Sequence, residues 1–214
     1  MKIRYLGHSC FVLTESDGCS IATDPYGDVG FCMPKISVHA VTVSHSHYDH
    51  CHLGDVQGFS ALFDKAGVFS FENVKIFAIE SWHDDAHGLK RGSNLIFKFC
   101  MDNLTICHLG DLGEACNDAL IEKIGKVDVL LIPVGGNYTI DATLAKEYVD
   151  RLGPSVVIPM HYMQTGLNIR IAGLDEFINL FQKGKIMKTG CEIVLSETDL
   201  SDNGPKIIVM ERAL

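Results

Sequence analysis

The sequence contains no apolar run of about 18 residues, the length that a helix needs to span a bilayer. It also lacks a basic tract, and its formal net charge of −9 argues against a protein that grips long nucleic acids by their phosphates. The opening segment, MKIRYLG, has no pattern of a secretory signal. We therefore expect a cytoplasmic protein that neither spans a membrane nor binds long nucleic acid.

Cysteine is present, but not in the spacing of a closed structural zinc site. The chain has eight cysteines, and none of them lies in a C-x-x-C pair. In the absence of a secretion signal, we expect reduced thiols in a reducing cytoplasm. Cys51, which lies beside the histidine cluster described below, is the candidate for a reactive thiol.

No Ser/Pro/Gly-rich linker divides the chain, and no repeat of fixed period is present. Its 214 residues, 47% hydrophobic and 21% charged, suit one globular domain over residues 1–214. The sequence is compatible with a homo-oligomer but does not determine the oligomeric state, because exposed patches cannot be read from it.

Short β-rich segments dominate the first half, and strands alternate with helices in the second. The first group of expected strands is Lys2–Leu6, Cys10–Thr14, Cys19–Thr23, Ala40–Ser44, Val74–Ile79, Asn94–Cys100 and Leu104–Cys107. The second half predicts strands at Val127–Ile132, Ser155–Ile158, Glu192–Leu195 and Ile207–Met210, with helices at Asp118–Ile124, Ala142–Leu152 and Leu174–Gln182. Two sheets packed face to face with helices outside satisfy both halves, as do other mixed α/β layouts.

The densest group of potential metal ligands follows the strand AVTVS. It comprises His45, His47, Asp49 and His50. Residues two apart in an extended segment point the same way, so His45 and His47 can bind one ion together. Asp49 and His50 follow where the chain can bend toward a second ion. The alternative is a solvated histidine-rich loop.

This H-x-H-x-D-H pattern resembles the signature of the metallo-β-lactamase superfamily. Three further segments resemble its later motifs in the right order: SWHD with His83, HLGD with Asp111 and PMHY with His161. The segments YLGHSCF (5–11), Asp24-Pro25, HLGDLG (108–113) and PVGGNYTID (133–141) look like the ascorbate-6-phosphate lactonase-like branch. The resemblance implies an α+β fold, a four-layer αββα sandwich.

The resemblance also implies a ligand set for two divalent ions, most often zinc, with manganese or iron as alternatives. His45, His47 and His83 would hold the first ion, Asp49, His50 and His161 the second, and Asp111 would bridge them. A metal-bound hydroxide would be the nucleophile. Asp49 is the candidate catalytic residue, since its carboxylate could accept a proton or orient that hydroxide.

Several nearby residues keep two interpretations. His87 competes with His83 as a ligand, and we favour His83 because it directly follows the strand and matches the motif. His8 either reaches the site or packs against a turn. His108 is either a core histidine or a metal ligand. Asp84 either forms a hydrogen bond with a ligand histidine or caps a turn. His52 extends the motif or begins a helix, which we favour. His39 is expected on the surface. The basic residues Lys90 and Arg91 either contact an anionic substrate or are solvated charges on a loop. The segment 135–139 either lines the site or forms a tight turn.

The leading functional hypothesis is hydrolysis of a small ester, lactone or phosphoester. A metal-dependent phosphodiesterase or nuclease of the same fold is the alternative, and a thioester hydrolase of the glyoxalase II type would use the same ligands. An oxygen-reducing diiron protein is disfavoured, because that group resembles H-x-E-x-D-H and position 47 is His. A non-catalytic metal-binding module is disfavoured by the full ligand set.

Overall fold

The computed structural model describes residues 1–200 and 203–214. The strands among them are β1 (Lys2–Gly7), β2 (Cys10–Thr14), β3 (Ser20–Thr23), β4 (Ile36–Ser37), β5 (Ala40–Thr42), β6 (Val56–Gln57), β7 (Ala61–Phe63), β8 (Gly67–Phe71), β9 (Val74–Trp82), β10 (Ser93–Met101), β11 (Leu104–His108), β12 (Val129–Pro133), β13 (Val156–Met160), β14 (Ile186–Thr189), β15 (Glu192–Val194) and β16 (Lys206–Met210). The helices are α1 (Asp118–Ile124), α2 (Ala142–Leu152) and α3 (Asp175–Ile178).

Two large mixed sheets form the body of the molecule. The first has six strands in the order β15-β1-β2-β3-β5-β7, and the second has eight in the order β14-β16-β13-β12-β11-β10-β9-β8. β3, β5 and β7 run parallel, as do β11, β12 and β13. Such parallel neighbours bring the carboxyl ends of their strands to one edge of each sheet.

The facing surfaces of the two sheets form the main core. Alternate residues of the first sheet, among them Ile3, Phe11 and Ile21, are fully buried against Ile76 and Phe97 of the second. This alternation is the period-2 pattern of strands with one face on a core. The sandwich expected from the resemblance is confirmed.

The outer face of the eight-stranded sheet is covered by helices. Tyr148 of α2 and Phe177 of α3 are fully buried in a cluster with residues of β11, β12 and β13. Asn117 caps α1 and Asp141 caps α2, each side chain accepting a backbone N–H from the third residue beyond it.

The outer face of the six-stranded sheet carries a layer without helix in the part of the chain described, so of the two outer α layers implied by the resemblance only the one on the eight-stranded sheet is helical there. Tyr26, Val29 and Met33, in the loop after β3, pack there with the β4–β6 pair. The loop after His50 also contains no helix, so the helix start predicted at His52 is wrong. The chain turns at Gly54-Asp55 and passes directly into β6, and the His52 ring lies 3.3 Å from Asp55 instead.

The helix predicted over Leu174–Gln182 is one turn long, Asp175–Ile178. Leu174 offers no side chain to cap it, whereas Asn117 and Asp141 do so for the longer helices. Among residues 1–200 and 203–214, no helix has the length and apolar character required to cross a bilayer.

Candidate metal centre

The predicted ligands lie on loops that leave the carboxyl ends of strands at one edge of the sandwich. His45 follows β5, His83 follows β9, Asp111 follows β11 and His161 follows β13. Each of these ligands lies within three residues of the end of its strand. The sheets therefore fix the loop anchors, and residues far apart in the sequence meet at one place.

His45, His47 and His83 form what we call the first set, and one ligand atom from each lies within 4.8 Å of the others. The ring centroid of His45 lies 4.6 Å from those of both His47 and His83. His83 and not His87 joins the set, and the His87 ring lies outside it beside Trp82. The geometry thus agrees with the ligand that directly follows the strand.

Asp49, His50 and His161 form the second set, and the structure adds His8 to it within the same 4.8 Å limit. The Nε2 atom of His8 lies 3.3 Å from Oδ2 of Asp49, and its ring centroid lies 4.4 Å from that of His161. His8 therefore reaches the site and does not merely pack against a turn.

Asp111 lies between the two sets and is 2% exposed. One of its carboxylate oxygens, Oδ2, lies 3.4 Å from His83 Nε2, 3.3 Å from His161 Nε2 and 3.9 Å from His45 Nε2. The other, Oδ1, lies 3.2 Å from His50 Nε2. A single carboxylate thus faces histidines of both sets, which is the position that a bridging ligand requires.

Asp24 supports the two sets from behind. Its carboxylate accepts the backbone N–H of Ser44 at 2.7 Å and the Ser44 hydroxyl at 2.6 Å, and its Oδ2 lies 2.9 Å from Nδ1 of His50. The Ser44 hydroxyl oxygen also lies 2.9 Å from Nδ1 of His45. Both rings therefore use Nδ1 toward this support and leave Nε2 for the site, the arrangement typical of metal-ligating histidines.

Two glycines let the backbone approach the ligands closely. A Cβ atom on Gly113 would lie 2.5 Å from the backbone carbonyl of His83, and one on Gly135 would lie 2.3 Å from the backbone oxygen of His161. The Val134 N–H donates to the backbone oxygen of Met160, and the His161 N–H donates to the backbone oxygen of His8. The 135–139 loop is thus a close packing partner of a ligand segment.

The backbone of the site is strained at three positions. His8, Asp24 and His161 have φ values of 52°, 41° and 50°. Few residues other than glycine adopt this left-handed region, and such residues concentrate at functional sites. The surrounding hydrogen bonds hold these side chains on the site at the expense of local backbone energy.

The protonation of the histidines suits binding of a cation. Burial lowers the pKa of His45 to about 3 and that of His8 to about 4, so both rings are neutral at physiological pH. A neutral imidazole is the form that donates its lone pair to a metal. For His50, burial opposes the charged form, but the carboxylates of Asp111 and Asp24 outweigh it and raise the pKa. A positive charge is therefore favoured between these residues.

Several buried polar atoms of the ligand residues have no hydrogen-bond partner. They are Nε2 of His45 and His50, Oδ1 of Asp111, and Nδ1 of His83 and His161. Each buried polar atom without a partner costs about 1–3 kcal/mol. A cluster of imidazole and carboxylate donors left unpaired in this way fits divalent ions of the zinc type.

Other histidines and Asp84 have structural roles. The buried His108 uses both ring nitrogens on backbone groups, Nε2 at 2.8 Å from the Ser9 oxygen and Nδ1 as acceptor from the Gly110 N–H, which confirms the core interpretation. His39 is exposed, as expected. Asp84 caps the loop after β9 by accepting four backbone N–H groups, from Ala86, Gly88, Lys90 and Arg91.

The centre opens into a cavity of about 480 Å³. Ligand residues of both sets form its floor, and Tyr48, Tyr138, Arg91 and Arg170 line its walls with Asn168 and Ile169. A cavity of this volume suits a small molecule.

Comparison with known proteins identifies the family. The profile of the Beta-lactamase superfamily domain matches residues 2–161. A UPF0173 metal-dependent hydrolase of Desulforamulus reducens is 31% identical over 195 residues, covering 76% of this chain and 84% of the relative. A relative of the same description from Nanoarchaeum equitans is 32% identical over 193 residues, again with 76% and 84% coverage.

A solved structure extends the likeness over nearly the whole chain. A Thermotoga maritima protein, assigned to the Zn-dependent hydrolases of the metallo-beta-lactamase superfamily, superposes with a TM-score of 0.82 and 37% identity over 99% of both chains. The chain therefore belongs to the metallo-β-lactamase superfamily, and it is one of the metal-dependent hydrolases of that superfamily.

Proposed function

We propose that the chain is a two-metal hydrolase that cleaves a small ester, lactone or phosphoester. One observation carries the proposal: the Asp111 carboxylate lies within 3.9 Å of His45 and His83 of the first set and of His50 and His161 of the second. A carboxylate shared in this way supports a pair of ions and not a single one. Zinc is the ion we expect, and manganese or iron also suits these donors.

The ligand residues would be shared between two ions. His45, His47 and His83 would hold one ion, and Asp49, His50 and His161 the other, with Asp111 bridging them. Bound divalent ions lower the pKa of water from about 15.7 to about 7 and polarise a carbonyl or phosphoryl oxygen. Asp24 keeps the Nε2 lone pair of His50 directed at the centre, since it accepts from Nδ1.

Asp49 is the residue that we assign to proton transfer. Its Oδ2 lies 3.3 Å from His8 Nε2 and 3.8 Å from His50 Nε2, so this oxygen is held on the cavity floor between two rings. From there it can accept the proton of the attacking water and return it to the leaving group. His8 orients the carboxylate and is a positioning residue.

A lactone is the ester that we place first among the substrates, because YLGHSCF, HLGDLG and PVGGNYTID resemble the ascorbate-6-phosphate lactonase-like branch. The cytoplasm is the proposed location. All eight cysteines are free in the structure, which agrees with a reducing compartment.

The proposal is tested by metal analysis and a substrate screen. Protein loaded with zinc, manganese or iron is assayed on lactones, thioesters, phosphodiesters and lactams, beside Asp111→Asn and the control Asp64→Asn. Asp64 is an exposed carboxylate, so its variant matches the change of charge. We expect about two ions per wild-type chain, as in other two-metal sites, and loss of hydrolysis in Asp111→Asn only.

Fewer than one ion per chain in the purified wild type would overturn the proposal. So would full activity of Asp111→Asn on each substrate that the wild type cleaves. Preferred cleavage of phosphodiesters would instead identify the phosphodiesterase alternative.

A further inference from the structure

Two arginines line the cavity above the metal centre. Arg91 lies on the loop between β9 and β10, and Arg170 lies on the segment that follows β13. Both share this cavity with the ligands His47, Asp49 and His161. Two positive charges at the mouth of one cavity are notable in a chain whose formal net charge is −9.

The two guanidinium groups are not engaged by carboxylates of the described chain. Over residues 1–200 and 203–214 neither group forms an ion pair or a side-chain hydrogen bond. Arg151 offers the contrast, because its guanidinium pairs with Asp118. Arg4 and Arg212 also form no ion pair with the described carboxylates, so Arg91 and Arg170 are distinguished by lining one cavity together with the metal ligands.

The backbones of both arginines are nevertheless fixed. The Arg91 N–H donates to Asp84 Oδ2 at 2.7 Å, and its guanidinium carbon lies 5.2 Å from the ring centroid of Tyr138. The backbone oxygen of Arg170 accepts from the side-chain amide of Asn137 at 2.9 Å. Lys90, next to Arg91, pairs with Asp85 and is therefore neutralised. Both arginines thus have anchored backbones and guanidinium groups without a carboxylate partner among the described residues.

The guanidinium fork matches the geometry of carboxylate and phosphate oxygens, to which it can donate two parallel N–H groups. We propose that the substrate carries a carboxylate or phosphate group apart from the bond that is hydrolysed, and that Arg91 and Arg170 bind this group. This inference rests on the proposed hydrolytic function only for the location of the scissile bond. The anion site itself is defined by the two arginines and the cavity.

Binding of simple probes tests the site without requiring turnover. Phenylphosphonate, benzoate and neutral benzyl alcohol are titrated calorimetrically into the purified protein and into Arg91→Gln, Arg170→Gln, Arg91→Lys and Arg4→Gln. Arg4, in β1, does not line the cavity and supplies the same loss of charge. Any contribution of the metal ions to anion binding is common to all variants, so differences among them isolate the guanidinium groups.

We expect each Gln variant at 91 or 170 to weaken one or both anions by about five- to tenfold, the size of a charge-assisted hydrogen bond that is partly exposed. Arg91→Lys should retain part of the affinity, Arg4→Gln should match the wild type, and benzyl alcohol should not respond. The anion that weakens more, phosphonate or benzoate, identifies the chemical class. Equal anion affinity in Arg91→Gln, Arg170→Gln and Arg4→Gln overturns the inference.

A kinetic arm separates this inference from the proposed function. Phenyl acetate and its anionic counterpart monophenyl glutarate share a leaving group. We expect the Gln variants to raise KM for monophenyl glutarate alone and to leave kcat unchanged. If the wild type cleaves no ester, lactone or phosphoester, the proposed function fails, whereas the calorimetric result still decides the anion site.

Discussion

Asp24 and His50 form a fully buried carboxylate–imidazole pair in which Asp24 Oδ2 lies 2.9 Å from His50 Nδ1. The same carboxylate accepts two hydrogen bonds from Ser44, the residue before His45. One acidic side chain therefore determines the orientation of histidines in both sets. It is not itself part of either set.

We predict that Asp24→Asn weakens metal binding by about 10- to 100-fold, the usual cost of losing a carboxylate behind a ligand histidine. The amide is close in size to the carboxylate, but its NH₂ group cannot accept the N–H of His50 or the Ser44 hydroxyl. Titration with zinc against a competing chelator measures the affinity. Asp175→Asn, an exposed change on α3, is the control and should bind as the wild type does. Equal affinities in the two variants would show that Asp24 is dispensable.

His8 gives a second prediction. Its Nε2 lies 3.3 Å from Asp49 Oδ2, and the ring packs against those of His50 and His161. Replacement by Asn, which tolerates the left-handed backbone, removes this contact. We expect His8→Asn to weaken the ion of the second set about tenfold and to leave the first set unchanged.

His87→Asn is the matched control for this change. His87 is exposed and has a φ of 54°, close to the 52° of His8, so the backbone cost of Asn is similar. Calorimetric zinc titrations of both variants resolve the two binding steps. Identical titrations in His8→Asn and His87→Asn would restrict His8 to a packing role.

The third prediction concerns Gly135. An alanine Cβ there would lie 2.3 Å from the backbone oxygen of His161, so the His161 segment must move. We expect Gly135→Ala to destabilise the fold by about 1–3 kcal/mol, the range for overpacking, and to weaken binding at the second set. Gly184→Ala, where a Cβ would meet nothing within 4 Å, should change neither quantity. Urea unfolding and zinc titration measure the two effects. A wild-type response in both would mean that the close approach is relieved without cost.

The sequence predicts the ligands that lie close together along the chain. It does not predict the contacts that arise only when strands distant in the sequence pair. His45, His47, Asp49 and His50 are readable because they lie within six positions after one strand. Asp24 precedes His50 by 26 residues, and its contact exists because β3 and β5 are parallel neighbours. The Asp24-Pro25 step is recognisable in the sequence, but the sequence does not show that Asp24 contacts His50.

Element boundaries follow the same division. The strands with a buried face, such as β9, β10 and β12, lie close to their predicted positions. β7 and β8 were not predicted, since these edge strands are largely exposed or half-buried and carry no clean alternation. Edge strands depend on pairing with a neighbour more than on their own pattern. The sequence therefore predicts the core strands of the sandwich better than its edge strands.

Removal of the metal should lower the thermal stability, because ions that bind only the folded chain stabilise it in proportion to the logarithm of their free concentration over Kd. At about 100 Kd the stabilisation is roughly 2.7 kcal/mol, and a domain of this size shifts by roughly 2–4 °C per kcal/mol. We therefore expect EDTA to lower Tm by roughly 5–11 °C, with recovery on adding zinc. Without the ions, the buried atoms of Asp111 and its histidines lack partners. Asp111→Asn should therefore have a low Tm that changes little on adding EDTA or zinc. Asp64→Asn should behave as the wild type. An unchanged Tm in protein from which elemental analysis shows the metal to be gone would contradict the coupling of this centre to the fold.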